Sequence, residues 1–305
     1  MPDILTHVIF ANKVKNGIAD VNVKDAIKNN IQIFNFGAQG PDFLYYYISP
    51  LLVDKRVQSA GRMMHRIETA KFFKDFISWL EILDSFEYEQ HLAFFAGFLT
   101  HFYCDKAIHP YVLATEKQGA EYFNHPDKKA FLSHYTIEYI MDIRLWKECM
   151  GVDAYKQNIL DLIGKTPFPY GLVEFITEFI NYTQPNAVTK KEVFKASTSM
   201  INIHKIFYDP SNLKKWFINL LPLPRKAYVE KTKDDIDVLN LNKRSWTHLQ
   251  DSLEVSDESV WELIEKGSQE CIKCIDEISE YLEKGIEKDF DKLIPNVGYL
   301  TNKPL

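Results

Sequence analysis

Two stretches of the sequence place a histidine four residues before a carboxylate: His101 with Asp105 in LTHFYCDKAIHPY, and His134 with Glu138 in LSHYTIEYIMD. On a helix that spacing puts both side chains on one face, a turn apart. Imidazole nitrogen and carboxylate oxygen offered together hold a divalent metal such as zinc, or pair with each other in a buried hydrogen bond. His109 follows Asp105 by four more residues and extends the first row, with Pro110 predicting the helix end just after it.

Spacing alone discriminates weakly, because nine histidines in a chain with 42 acidic residues give about one His-x-x-x-acid match by chance. The apolar setting says more. Phe94, Phe95, Phe98, Leu99 and Phe102 precede Asp105, and Ile137, Ile140, Met141 and Leu145 surround Glu138. A carboxylate on such a face must be paired or must bind a cation. Taken singly, each pair reads equally well as a His–acid hydrogen bond in a helical core.

The elements that must position these residues are helices. Apolar residues recur at helical period in Tyr88 to Tyr111, Lys129 to Lys147, Gly171 to Tyr182, Lys190 to Tyr208 and Ser256 to Lys284. Strand-like alternation is scarce, only 12 glycines occur, and prolines such as Pro167, Pro169, Pro185 and Pro210 fall between the periodic segments. Ser256-Asp257-Glu258 reads as the start of a long final helix, and Pro222 to Asp251 as a long loop. The expected fold is all-α, a multi-helix single domain over residues 1–305 with no internal repeat. Hydrophobic residues make up 46% of the chain and aromatics 14%, enough for a sizeable core.

The row His101, Asp105, His109 followed by His134 and Glu138 resembles the zinc-dependent phospholipase C family. That family includes secreted phosphatidylcholine-hydrolysing enzymes and clostridial alpha-toxins, and it is related to single-strand-specific zinc nucleases. The resemblance extends to three earlier positions: His7 in THVIFANKV, Asp42 in the stretch GAQGPDFLYY, which is expected to be a loop, and His65 in RMMHRIET. Its specificity lies in the ordered set of eight. It covers the first half of the chain by motif, and the second half only loosely through DVLNLNKRSW.

The resemblance implies an all-helical fold with two or three zinc ions. One would take Asp42, His65, His101 and Asp105, a second His109, His134 and Glu138, and a third His7 with the bridging Asp105. A water between such ions is acidified enough to act as hydroxide at neutral pH, and Asp42 is the implied general base. The departures are specific. The secreted enzymes begin with a tryptophan that binds one zinc, where this chain has Met1-Pro2-Asp3 and Asp3 is the nearest substitute. Asp105 and His109 are closer together, and Asp42 and His65 farther apart, than in the secreted enzymes. No strand-rich region follows that would form the toxins' lipid-binding sandwich.

The expected function is therefore a metal-dependent hydrolase of phosphate esters, a phospholipase C-like phosphodiesterase with phospholipid as the first substrate. The alternatives are a nuclease-like phosphodiesterase and a noncatalytic metal-binding helical protein. The net charge of −6 excludes global attraction to nucleic acid, so a phosphate substrate needs a local cationic site. No apolar run reaches membrane-span length. The N-terminal sequence lacks a secretory pattern and only four cysteines occur, so a cytoplasmic location is expected.

Weaker signals read as structural first. Cys271 and Cys274 form a CxxC pair with no second pair, and Trp79, Trp146, Trp216, Trp246 and Trp261 read as core. His91, His125, His204 and His248 fall outside the ligand order. Phe43 to Tyr47 could line a cleft, Arg62, Arg66 and Arg144 could meet phosphate, and Asn240, Asn242 and Trp246 could approach the site, although packing and solvated ion pairs are the commoner fates.

Overall fold

The computed structural model describes residues 4–48, 55–66, 68–123, 132–211 and 236–305. Asp3, His125, the expected helix start at Lys129, Trp216 and the first part of the loop beginning at Pro222 lie outside the described residues.

The fold is all-α. The longer helices are α1 (Ile4–Gly17), α2 (Val21–Asn29), α3 (Ile31–Gly37), α4 (Arg56–Met64), α5 (Thr69–Leu80), α6 (Ser85–Gln118) and α7 (His134–Met150). After the single turn α8 (Leu160–Ile163) come α9 (Tyr170–Thr183), α10 (Lys190–Phe207), α11 (Val260–Lys284) and the short α12 (Phe290–Leu293). The strands among the described residues are two two-residue segments, paired antiparallel with Trp246 opposite Ser256.

Helix α6 is the axis of the molecule, with α1, α2, α3, α5, α7 and α11 packed around it. It is apolar around its circumference, since Leu92 to Ala96, Phe98, Leu99 and Phe102 to Cys104 are all buried, as a helix surrounded by others must be. Gly97 lets α3 approach it closely: a Cβ at that position would lie 2.1 Å from the Phe34 carbonyl oxygen. Rings from α5, α6 and α9 interlock, with Phe76 stacked on Phe175 at 4.4 Å and Phe72 packed on Phe98 at 4.6 Å.

Three sequence expectations are corrected. Helix α6 does not end at Pro110 but runs on to Gln118. Proline removes one hydrogen bond there, and burial on all sides carries the helix past it. The long helix α11 starts at its cap Ser259, not at Ser256, and is followed by the short α12: Ser259 and Glu262 form a reciprocal capping box, while Ser256 lies in the second strand. Asp42 sits not in an irregular loop but in a 3-10 helix, Gly40–Tyr46. The expected loop, from residue 236 onward, is a series of turns with one short strand.

Candidate metal centre

Five elements supply the eight candidate ligands. Helix α1 carries His7, the 3-10 helix carries Asp42, and His65 caps the C-terminus of α4. Helix α6 contributes His101, Asp105 and His109 from one face, and α7 contributes His134 and Glu138. All converge at the N-terminal end of α7. His7, His65, His101, Asp105, His109 and Glu138 are each no more than 3% exposed, and Asp42 and His134 reach the surface.

Asp105 lies at the middle. Its Oδ1 is 3.4 Å from His7 Nε2 and 3.6 Å from His109 Nδ1, and its Oδ2 is 3.3 Å from His101 Nε2 and 3.7 Å from His65 Nε2. Asp42 Oδ1 is 3.1 Å from His65 Nε2. Glu138 Oε1 is 2.7 Å from His134 Nε2 and 3.2 Å from His109 Nε2. Three groups emerge: His7 with His101 and Asp105, Asp42 with His65 and His101, and His109 with His134 and Glu138. His101 is common to the first two groups, and Asp105 stands in the first alone.

These residues fit zinc on the chemistry of their atoms. Donors held at about 2.1 Å around a tetrahedral ion stand about 3.4 Å from one another, close to the separations seen. Both ring nitrogens of His7 and of His109, both oxygens of Asp105 and Asp42 Oδ1 are buried without a hydrogen-bond partner among the described residues. Buried polar atoms are seldom left so. Five imidazoles with three carboxylates are a borderline nitrogen and oxygen set suited to zinc.

Protonation agrees with this at His7, His109, Asp105 and Glu138. Burial, followed by the charge of His101, pushes His7 well below its ordinary value, and burial lowers His109. Burial pushes Asp105 up, but the charges of His109 and His101 outweigh it and hold the carboxyl well below its usual range. Glu138 is likewise raised by burial yet held below the carboxylate range, with His109 and His134 among the causes. His101 moves the other way: burial lowers it, and Asp105 more than compensates. Neutral imidazole beside ionised carboxylate is the state that metal binding requires.

Groups behind the ligands orient them, and sequence reasoning missed these. His65 Nδ1 lies 2.8 Å from the Gly61 carbonyl, which keeps the proton on that nitrogen and frees Nε2 for the cluster. Glu116 accepts the His134 backbone N–H at 2.8 Å and lies 3.7 Å from His134 Nδ1. Seven residues after His109 on the same helix face, Glu116 had a legible spacing. Tyr299 packs its ring 5.0 Å from His65 and 5.9 Å from His101, and no local pattern marks it. Gly40, at φ +52°, leaves room for the His101 ring.

A cavity of about 720 Å³ opens on the cluster, lined by Asp42, His65, His134 and Glu138 together with Tyr45, Tyr46 and Tyr135. Of the aromatic stretch, Tyr45 and Tyr46 reach this cavity, while Phe43 and Leu44 are core. Arg62 and Arg66 line it. Arg144 does not, and instead faces a separate cleft with Glu148 and Asp237. Asn240 is buried, its side chain bonded to the Arg244, Asp257 and Glu258 carbonyls. Trp246 packs on Tyr111, and Asn242 lines the Arg144 cleft, so none of the three is at the centre. His91, His204 and His248 are buried structural histidines, and Cys271 and Cys274 are buried in the core.

Comparison with known proteins gives one finding. The sequence pattern of a family described as zinc dependent phospholipase C matches residues 6–192, a span that contains all eight candidate ligands. No curated protein and no solved structure matches.

Proposed function

The chain belongs to the zinc-dependent phospholipase C family, and on that premise we propose that it hydrolyses phosphate diesters, with phospholipid as the substrate class, at the centre built from His7, Asp42, His65, His101, Asp105, His109, His134 and Glu138. One observation carries the reading: five imidazoles and three carboxylates converge in a buried cluster that opens through Asp42 and His134 onto a substrate-sized cavity. Zinc, when bound, acidifies coordinated water and neutralises charge on the phosphate.

The chain's own residues do the rest. Asp42 stands at the cavity wall with one oxygen beside His65, and in this reading its carboxylate takes the proton of the attacking water. Asp105 holds four imidazoles in register from the centre. Tyr299, packed over His65 and His101, keeps solvent from their far side. Tyr45, Tyr46 and Tyr135 favour one second reading, a nuclease-like activity in which bases stack on these half-buried rings of the cavity wall.

We further read residues 1–305 as one domain, since α11 packs on both α1 and α6. We place the protein in the cytoplasm on its buried free thiols Cys104, Cys271 and Cys274. Among the described residues no helix is long and apolar enough to cross a membrane.

The test is elemental analysis of purified protein alongside hydrolysis of bis(p-nitrophenyl) phosphate, phosphatidylcholine vesicles and single-stranded DNA. Bound zinc, with turnover and melting temperature both lowered by chelation, is the expected result. Protein that takes up no metal, or whose unfolding is unchanged after metal removal, overturns the reading. Turnover of DNA alone moves it to the nuclease.

A further inference from the structure

The cavity beside the metal centre carries a charge that the ligands do not explain. Lys55, Arg62 and Arg66 all line it. Lys55 is the residue before α4, Arg62 lies within α4, and Arg66 follows its end. Together with Gln58, which lines the same cavity, their spacing of three, four and four residues places them in one row along that helix. Among the described residues no carboxylate lies within ion-pair distance of any of the three. The neighbouring Arg56, by contrast, is paired with Glu192 at 2.5 Å.

Among the described residues the only carboxylates on the cavity wall are Asp42 and Glu138, and both already face histidines. Two arginines one turn apart without a counter-ion repel each other, and this in a chain whose net charge is −6. The row is also close to the chemistry. The Tyr45 phenol is raised first by burial and then by the charge of Asp42, and it is opposed by Arg62 and Arg66, so it stands in the field of both sides.

We infer that Lys55, Arg62 and Arg66 bind a second anionic group of the substrate, so that the centre acts on phosphate diesters bearing a further phosphate on the headgroup and disfavours those with a quaternary ammonium headgroup. This rests on the reading of the centre as a phosphodiesterase. Guanidinium suits the task because its planar fork takes two phosphate oxygens at once. A quaternary ammonium would meet three cations that no described carboxylate compensates, and among the described residues no further acid lines the wall to receive it. The second phosphate can belong to a lipid headgroup or to a soluble ester, since both offer the row the same oxygens.

The first experiment is calorimetric titration of the zinc-loaded protein with inositol trisphosphate and with phosphocholine. The trisphosphate binds about tenfold or more tighter, and the combined variant K55A/R62A/R66A loses about tenfold or more of that affinity while phosphocholine binding changes far less. Equal affinity for the two ligands in the wild-type protein overturns the inference without recourse to any variant. Undiminished trisphosphate binding in the triple variant, at unchanged circular dichroism and zinc content, overturns it too. The second experiment compares hydrolysis of phosphatidylcholine vesicles, the same vesicles doped with phosphatidylinositol phosphate, and soluble glycerophosphoinositol phosphate. Preference for either phosphorylated substrate supports the inference, and which of the two is preferred identifies its source; preference for phosphatidylcholine sinks it. If no diester is turned over, bis(p-nitrophenyl) phosphate included, the hydrolase reading fails, while the titration still decides whether the row binds a polyanion.

Discussion

Asp142 caps the first helix from across the fold: its Oδ1 accepts the Thr6 backbone N–H and its Oδ2 that of Leu5, each at 2.8 Å. The Thr6 hydroxyl donates to the same carboxylate. Asp142 lies one turn after Glu138 on α7, and Thr6 directly precedes His7, so this contact fixes the spacing between two ligand-bearing helices. A carboxylate at a helix N-terminus also meets the positive end of the helix dipole.

Asp142→Ala should therefore lower stability by about 2 kcal/mol or more, the worth of a lost charged cap, and reduce bound zinc. Asp142→Asn keeps one acceptor and should fall between the two. Urea unfolding and elemental analysis together check this. Lost stability with full zinc content would confine Asp142 to a structural cap that does not position His7.

Gly40 gives a second route to the centre. Its φ of +52° disfavours any side chain, and a Cβ there would lie 2.1 Å from His101 Cδ2 and 2.6 Å from its Nε2. Gly285 offers the comparison, with a φ of +65° and nothing within 4 Å of an added Cβ. Gly285→Ala should cost only the backbone strain, about 1–2 kcal/mol. Gly40→Ala should cost more and should lower zinc content, because the His101 ring must move. Equal losses in both variants, with zinc retained, would refute the steric account.

Much of this was legible in the sequence. The apolar period in Tyr88 to Tyr111 announced α6, and the two four-residue spacings announced the faces that meet. Pro110 misled because a local rule about one missing hydrogen bond was weighed without the packing around the helix, which only the fold supplies. Asp142 and Tyr299 were not legible at all. Asp142 is separated from Thr6 by 136 residues, and Tyr299 from His101 by the whole second half of the chain, so no periodicity connects either to the site.

Stability should also depend on pH through His204. This ring is buried against Tyr46, with Nε2 3.1 Å from the Tyr46 hydroxyl, and burial pushes it from the ordinary 6.5 down to about 3. The folded value is the lower one, so the unfolded chain takes up the proton first. Stability from this group is complete above the unfolded value and is lost as pH falls from there toward the folded one, at about 1.4 kcal/mol per pH unit. Between about pH 7 and about pH 5 the wild-type protein should lose about 2 kcal/mol that His204→Gln does not lose. Denaturant melts of both proteins at the two pH values test it, and parallel losses would rule His204 out as the source.

Asp105 and Asp42 are both carboxylates of the same cluster, yet their surroundings assign them different work. Asp105 is fully buried, and each of its oxygens faces two imidazoles. Replacing it with Asn removes the charge that four histidines share, so Asp105→Asn should lose zinc from more than one site, together with about 3 kcal/mol of stability. Asp42 meets His65 through one oxygen at the edge of the cavity, on a short 3-10 helix that buries Phe43 and Leu44 in the core. Asp42→Asn should therefore keep most of its zinc and its melting temperature while turnover falls by about 10²–10⁴, the usual worth of a general base. Zinc stoichiometry, thermal melts and phosphodiester hydrolysis measured on both variants separate the roles. Full activity in Asp42→Asn, or wild-type zinc content in Asp105→Asn, would reverse the assignment and leave the centre as a structural metal site.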